Sequence, residues 1–274
     1  MPRPKLPRLA PSLPEIPTRL NLACLLTWWA FEMSTARAIP ISPSDRLTSR
    51  LFRDLEEAHV FFAVNEGRKG ARRSLRGHWA WQYPDIRSAT GPQLCAALQR
   101  SVSSYRSRTS WHIEVMELWQ ALVDAESFEY LIYLLANHQL DLPLDLSNSD
   151  ALGDVWCSHS LGRRRYLAWY AVRGASAALL RSGMNQAVAG QTLCEEVRRR
   201  SRWLHSDENA DGQQMTNFTF ASRVDHARTL IVQLFLKFLA PIGDVYWSCP
   251  PKIELLDLRD QVKSEEELND RTSN

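Results

Sequence analysis

Apolar residues recur through this chain at the spacing of a helical turn, and prolines punctuate them. From Leu47 they fall at Leu51, Leu55, Ala58 and Phe62, and after Thr90-Gly91-Pro92 at Leu94, Leu98, Val102 and Tyr105. From Trp111 they fall at Val115, Leu118 and Leu122. This spacing lines up side chains on one face of an α-helix and gives a strand no consistent face. Further helical patterns cover 20–37, 127–138, 163–181, 184–204 and 222–240, the last stopping at Pro241. The segments 20–37 and 127–138 are apolar nearly all round, as buried helices are. A short turn is expected between 124 and 127. The stripe from Leu47 is expected to run to Gly67, behind a Ser cap in PISPSDRL. Strand signals are confined to HWAWQY, the LDLPLDL alternation and VYW. The expected fold class is mainly α, an irregular multi-helix bundle with at most a few short strands.

A chain of 274 residues can bury a sizeable core as one large or two small domains. Residues 1–18 read as a flexible Pro-rich basic arm, because six prolines and three cations crowd positions 1–17. Residues 19–140 read as a helical subdomain carrying a basic and aromatic loop at 67–84. Residues 150–247 read as a second helical subdomain beyond the extended LDLPLDLSNSD stretch. Residues 260–274 read as a disordered acidic tail. The net charge of +2 excludes a strong global field, but the distribution is uneven. Residues 1–110 hold 17 Lys and Arg against 8 Asp and Glu, and the remainder holds 16 against 23. Arg outnumbers Lys 28 to 5, and guanidinium grips phosphate in a bidentate way that ammonium does not. The five cysteines are odd in number and form no C-x-x-C pair, which argues for reduced thiols in a cytoplasmic chain. The first residues lack the apolar run of a secretory signal. The longest apolar stretch, LIVQLFLKFLAPIG, is too short to span a bilayer and carries Lys237.

Within 67–84, Arg68, Lys69, Arg72, Arg73 and Arg76 supply five cations with no acid among them. Trp79, Trp81 and Tyr83 then alternate, which in an extended segment puts three rings on one face. Cations that track a phosphate backbone beside rings that stack on bases are what single-stranded nucleic acid requires. Equally, three rings on one face can be core, and the cations can contact an anionic protein, including this chain's own acidic half. The run Arg163, Arg164, Arg165 opens a helix where cations oppose the macrodipole. These side chains are expected to reach into solvent, with an anion contact as the other option. His112-x-Glu114 lacks the P-C-x-x-C of zinc deaminases, and Cys157-Ser-His159 lacks a second ligand pair. For want of those ligands no metal is expected, and because no phosphate-cradling glycine motif occurs, no cofactor is expected.

Residues 198–208, RRRSRWLHSDE, resemble the arginine–histidine signature of HEPN ribonuclease domains, in which Arg and His are separated by four to six residues. The resemblance covers about ten residues of the 274. It implies a helical, dimeric fold that cuts RNA without metal. It also implies a histidine that moves a proton and an arginine that stabilises phosphate charge. On a straight helix Arg200 and His205 diverge by roughly 140°. Arg198, Arg202 and His205 share one face, so Arg198 and His205 are the candidate catalytic pair. Arg200 reads as a structural ion-pair partner, with Glu195–Arg199 and Glu196–Arg200 at favourable spacing. The same residues read equally as the charged end of a surface helix.

The leading functional expectation is a non-enzymatic α-helical binding module, or a subunit of a larger complex, that contacts nucleic acid through residues 68–83. A metal-independent ribonuclease is the second. A self-assembling structural protein, with the basic half docking on a neighbour's acidic half, is the third.

Overall fold

The computed structural model describes residues 13–34, 39–63, 79–81, 90–107, 111–143, 153–206, 229–243 and 245–257. Most of the basic arm, most of the 67–84 segment and the acidic tail lie outside these residues.

The fold is mainly α. Its helices are α1 (Leu22–Ser34), α2 (Asp45–Glu57), α3 (Gly91–Ser103), α4 (Trp111–Asn137), α5 (Gly153–Trp156), α6 (Leu161–Arg181), α7 (Gln186–Ser206), α8 (Leu230–Leu239) and α9 (Val245–Ser248). Two three-residue strands, β1 (Phe61–Ala63) and β2 (Trp79–Trp81), pair antiparallel. Among the described residues no helix is long and apolar enough to cross a membrane.

Local chemistry sets several helix ends. Ser44 caps α2 by accepting from the Leu47 N–H at 3.1 Å. Gln93 reaches back to the Thr90 N–H at 2.9 Å at the start of α3. α2 stops at Glu57 rather than continuing to Gly67. His59 takes φ 55° while the N–H groups of His59 and Val60 return to the carbonyls of Glu56 and Leu55. That arrangement closes the helix end, and Phe62 enters a strand. α4 closes the same way at Gln139, whose φ is also 55°.

Three further boundaries differ from expectation. α4 runs unbroken through 124–127, where the sequence reading put a turn. Ala125 and Glu126 suit a helix interior, and the Ser127 hydroxyl bonds back to the Val123 carbonyl at 2.6 Å. α8 begins at Leu230, because Thr229 is extended and the Leu230 and Ile231 N–H groups donate to the carbonyls of Pro40 and Ile41. Val224 and Ala227 lie outside the described residues. The VYW segment is the short helix α9 rather than a strand. Its Tyr246 is fully buried and stacks on Trp119, with ring centroids 6.2 Å apart.

Among the described residues, buried side chains form two apolar clusters. One joins α1, α2, α3, α8 and the first half of α4, and includes Trp28, Leu98, Trp119 and Phe235. The other joins the second half of α4 to α6 and α7 through Leu131, Leu135, Leu167, Val172, Leu193 and Val197. Each fully buried Leu, Val or Phe contributes roughly 1.5–3 kcal/mol. α4 is thus the shared spine, and the α6–α7 hairpin packs on its C-terminal half.

Candidate functional site

Of the residues expected to contact nucleic acid, Trp79 and Trp81 lie in β2, in register with Ala63 and Phe61. The extended reading of HWAWQY therefore holds over 79–81. Arg68, Lys69, Arg72, Arg73, Arg76 and Tyr83 lie outside the described residues.

The Arg198 and His205 pair sits on α7, which is unbroken to Ser206. Arg198 and Arg202 are exposed, with Arg202 Nε 3.4 Å from the Arg198 carbonyl. His205 Nδ1 lies 2.8 Å from the Ser201 carbonyl. A carbonyl only accepts, so Nδ1 donates this bond, and the tautomer it selects has its lone pair on Nε2.

Arg200 turns the other way, onto α6. Its guanidinium lies 3.5 Å from the Trp203 ring centroid and 4.7 Å from that of Tyr170. Its Nε donates to the Tyr166 hydroxyl at 2.7 Å. The ion pair expected for it with Glu196 is replaced by this bond to a phenol. Glu196 instead accepts from Arg199 at 2.6 Å, one residue closer along the helix, and Glu195 accepts from Gln191 at 2.9 Å.

Sequence reasoning missed a buried polar cluster where α6 meets α7 and α4. His159, Ser160, Arg164 and Ser201 are all buried, Arg164 with 0% of its surface exposed. Ser160 caps α6 by accepting from the Arg163 N–H at 3.2 Å. Arg164 Nε donates to the His159 carbonyl at 2.9 Å, and its Nη1 is ion-paired with Asp124 of α4. Arg165 pairs with Glu126 at 3.3 Å and lies over the Trp247 and Tyr130 rings. Two of the three arginines expected in solvent are therefore committed to the interior. The first turn of α6 faces α4, and the Asp124 and Glu126 carboxylates there offset the desolvation of the guanidiniums. The signal was present in the sequence as cations on the wrong end of a helix dipole. What it lacked was the position of Asp124, forty residues away.

His159 Nε2 lies 2.8 Å from the Ser201 hydroxyl, and the His159 ring stands against that of His205. Burial, then the charges at His205, Arg163 and Arg164, lower the His159 pKa to about 4. The imidazole is therefore neutral at pH 7. Burial likewise lowers the Arg164 pKa, while Asp124 opposes the shift. His159 Nδ1 meets no hydrogen-bond partner among the described residues, so no carboxylate orients this ring as in a catalytic triad. The cluster instead ties the start of α6 to the end of α7. Elsewhere Glu114 accepts from the Leu22 N–H at 3.2 Å and from the Tyr105 hydroxyl, holding α1 to α4. His112 faces Asp257 at 3.3 Å. Among the described residues no group of three His, Cys, Asp or Glu side chains is arranged to hold a metal ion. No family model, no curated protein and no solved structure matches this chain.

Proposed function

We propose that this chain is a non-enzymatic α-helical binding module, or a subunit of a larger complex, whose partner is nucleic acid contacted through residues 68–83. One observation supports it most. Five cations without an intervening acid directly precede Trp79 and Trp81, which belong to a strand paired with Phe61–Ala63. Such a segment combines backbone neutralisation with rings for base stacking. None of the five cysteines is in a disulfide, which favours a cytoplasmic setting. The test is binding of a labelled single-stranded RNA to the full chain and to R72E/R73E. Charge reversal is expected to weaken binding at least tenfold and to flatten its salt dependence. Unchanged affinity in a folded variant overturns the reading.

A second reading, a metal-independent ribonuclease of HEPN type, is favoured by the fixed His205 tautomer, whose Nε2 keeps a lone pair for proton transfer. It requires RNA cleavage in EDTA that is lost in His205→Ala. Cleavage that needs metal, or survives that change, rejects it.

A further inference from the structure

The basic character of α7 is concentrated in its last turns. Between Val197 and His205 there are four arginines and no acid. Arg198 and Arg202 lie on the exposed side, and neither has an ion pair with a described residue. Trp203, about 100° around α7 from Arg202, keeps 38% of its surface exposed and is backed by the Arg200 guanidinium at 3.5 Å. Arg200 is itself held by the Tyr166 hydroxyl, so this ring and its cation are already ordered. On the neighbouring helix the exposed Arg173 lies 4.6 Å over the half-buried Trp169 ring. Two arginine–tryptophan stacks therefore stand on the exposed surface of the α6–α7 hairpin, and Arg198 and Arg202 stand on the exposed flank of α7 turned away from Arg200.

We propose that the exposed surface of the α6–α7 hairpin, crossed from the Arg198 and Arg202 flank of α7 to Trp203, is a second contact surface for single-stranded nucleic acid, separate from residues 68–83. Arg198 and Arg202 neutralise successive phosphates, and Trp203, stiffened by Arg200, presents a ring to a base. The combination favours this partner over an acidic peptide. Carboxylates need only the cations, whereas exposed rings ordered by guanidiniums add attraction to a base that an acidic side chain cannot return. A surface with pre-ordered rings also loses less side-chain freedom on binding. The proposal rests on the nucleic-acid reading of the chain but not on the segment that carries it above.

The test uses the full chain and a labelled oligouridylate, with binding followed by anisotropy between about 50 and 200 mM salt. R198E/R202E alters only exposed side chains, so its circular dichroism and Tm should match the parent. It is expected to bind at least tenfold more weakly, with a salt slope smaller by roughly 1.4, the value for two phosphate contacts on a single strand. Trp203→Leu should weaken binding at least fivefold with the slope unchanged, since it removes stacking and no charge. R72E/R73E, measured in parallel, separates the two surfaces. Loss confined to R72E/R73E overturns this proposal and leaves the first standing, and loss confined to the α7 variants does the reverse. Competition by polyglutamate at the same charge concentration as oligouridylate also overturns it, in favour of an acidic protein partner.

Discussion

The imidazoles of His159 and His205 lie 4.6 Å apart, centroid to centroid, with Ser201 bonded to both, by its hydroxyl to one and its carbonyl to the other. His159 is 1% exposed and also faces the positive charges of Arg163 and Arg164. Its pKa falls from 6.5 in the unfolded chain to about 4 in the fold. The folded state therefore binds fewer protons across that window, and lowering pH favours unfolding. Above pH 6.5 the contribution is intact. Between pH 6.5 and 4 about 3 kcal/mol should be lost. Urea unfolding of the parent and of His159→Gln at several pH values isolates this effect. The parent should lose more stability than the variant over that interval, and parallel curves would refute the assignment.

Arg164 reaches the His159 carbonyl and Asp124 with different nitrogens of one planar fork. Lysine has a single charged nitrogen and cannot span both. Arg164→Lys is expected to cost about 2 kcal/mol, the scale of a hydrogen bond to a charged group. Asp124→Asn should cost a similar amount, and the two changes together less than their sum. A denaturant double-mutant cycle measures the coupling, and additive losses would show that the pair does not interact.

The Tyr166 hydroxyl accepts from Arg200 Nε at 2.7 Å. Tyr166→Phe removes that acceptor and keeps the ring. A loss of about 1 kcal/mol in unfolding free energy is expected. If the inferred α7 surface operates as described, the same variant should also weaken oligouridylate binding, because Arg200 is then free to leave the Trp203 ring.

The thiols should divide by environment. Cys157 is exposed, whereas burial, with Asp54 and Glu114 nearby, pushes the Cys24 pKa up to about 12. The thiolate is the reactive form, so at pH 8 Cys24 is both shielded and protonated. Iodoacetamide followed by peptide mass analysis should label Cys157 first and Cys24 only in denaturant. Early labelling of Cys24 would place it elsewhere than in the α1 core.

The helix class and several helix starts were legible because they depend on neighbours within a turn or two. Leu94, Leu98, Val102 and Tyr105 are buried together, as their spacing required. Ser44 and Thr90 cap where local sequence put them. Two of the elements that went astray depend on distant chain, whereas the end of α2 at His59 and the unbroken course of α4 through Ser127 are set locally. α8 starts where the Pro40 and Ile41 carbonyls receive its first N–H groups, and VYW is helical where Tyr246 finds Trp119. The expected site divides in the same way. The divergence of Arg200 from Arg198 and His205 followed from helical geometry alone, but its Tyr166 partner did not.

The sequence by itself determined that the chain is mainly helical, and that Arg198, Arg202 and His205 share a helix face. Both follow from periodicity, which acts over a few residues. Only the tertiary structure decided which cations are buried. Arg164 and Arg202 are both arginines in arginine-rich runs, yet one is enclosed against Asp124 and the other stands exposed. The difference is the cost of desolvating a guanidinium, which is offset only where another helix brings a carboxylate to meet it.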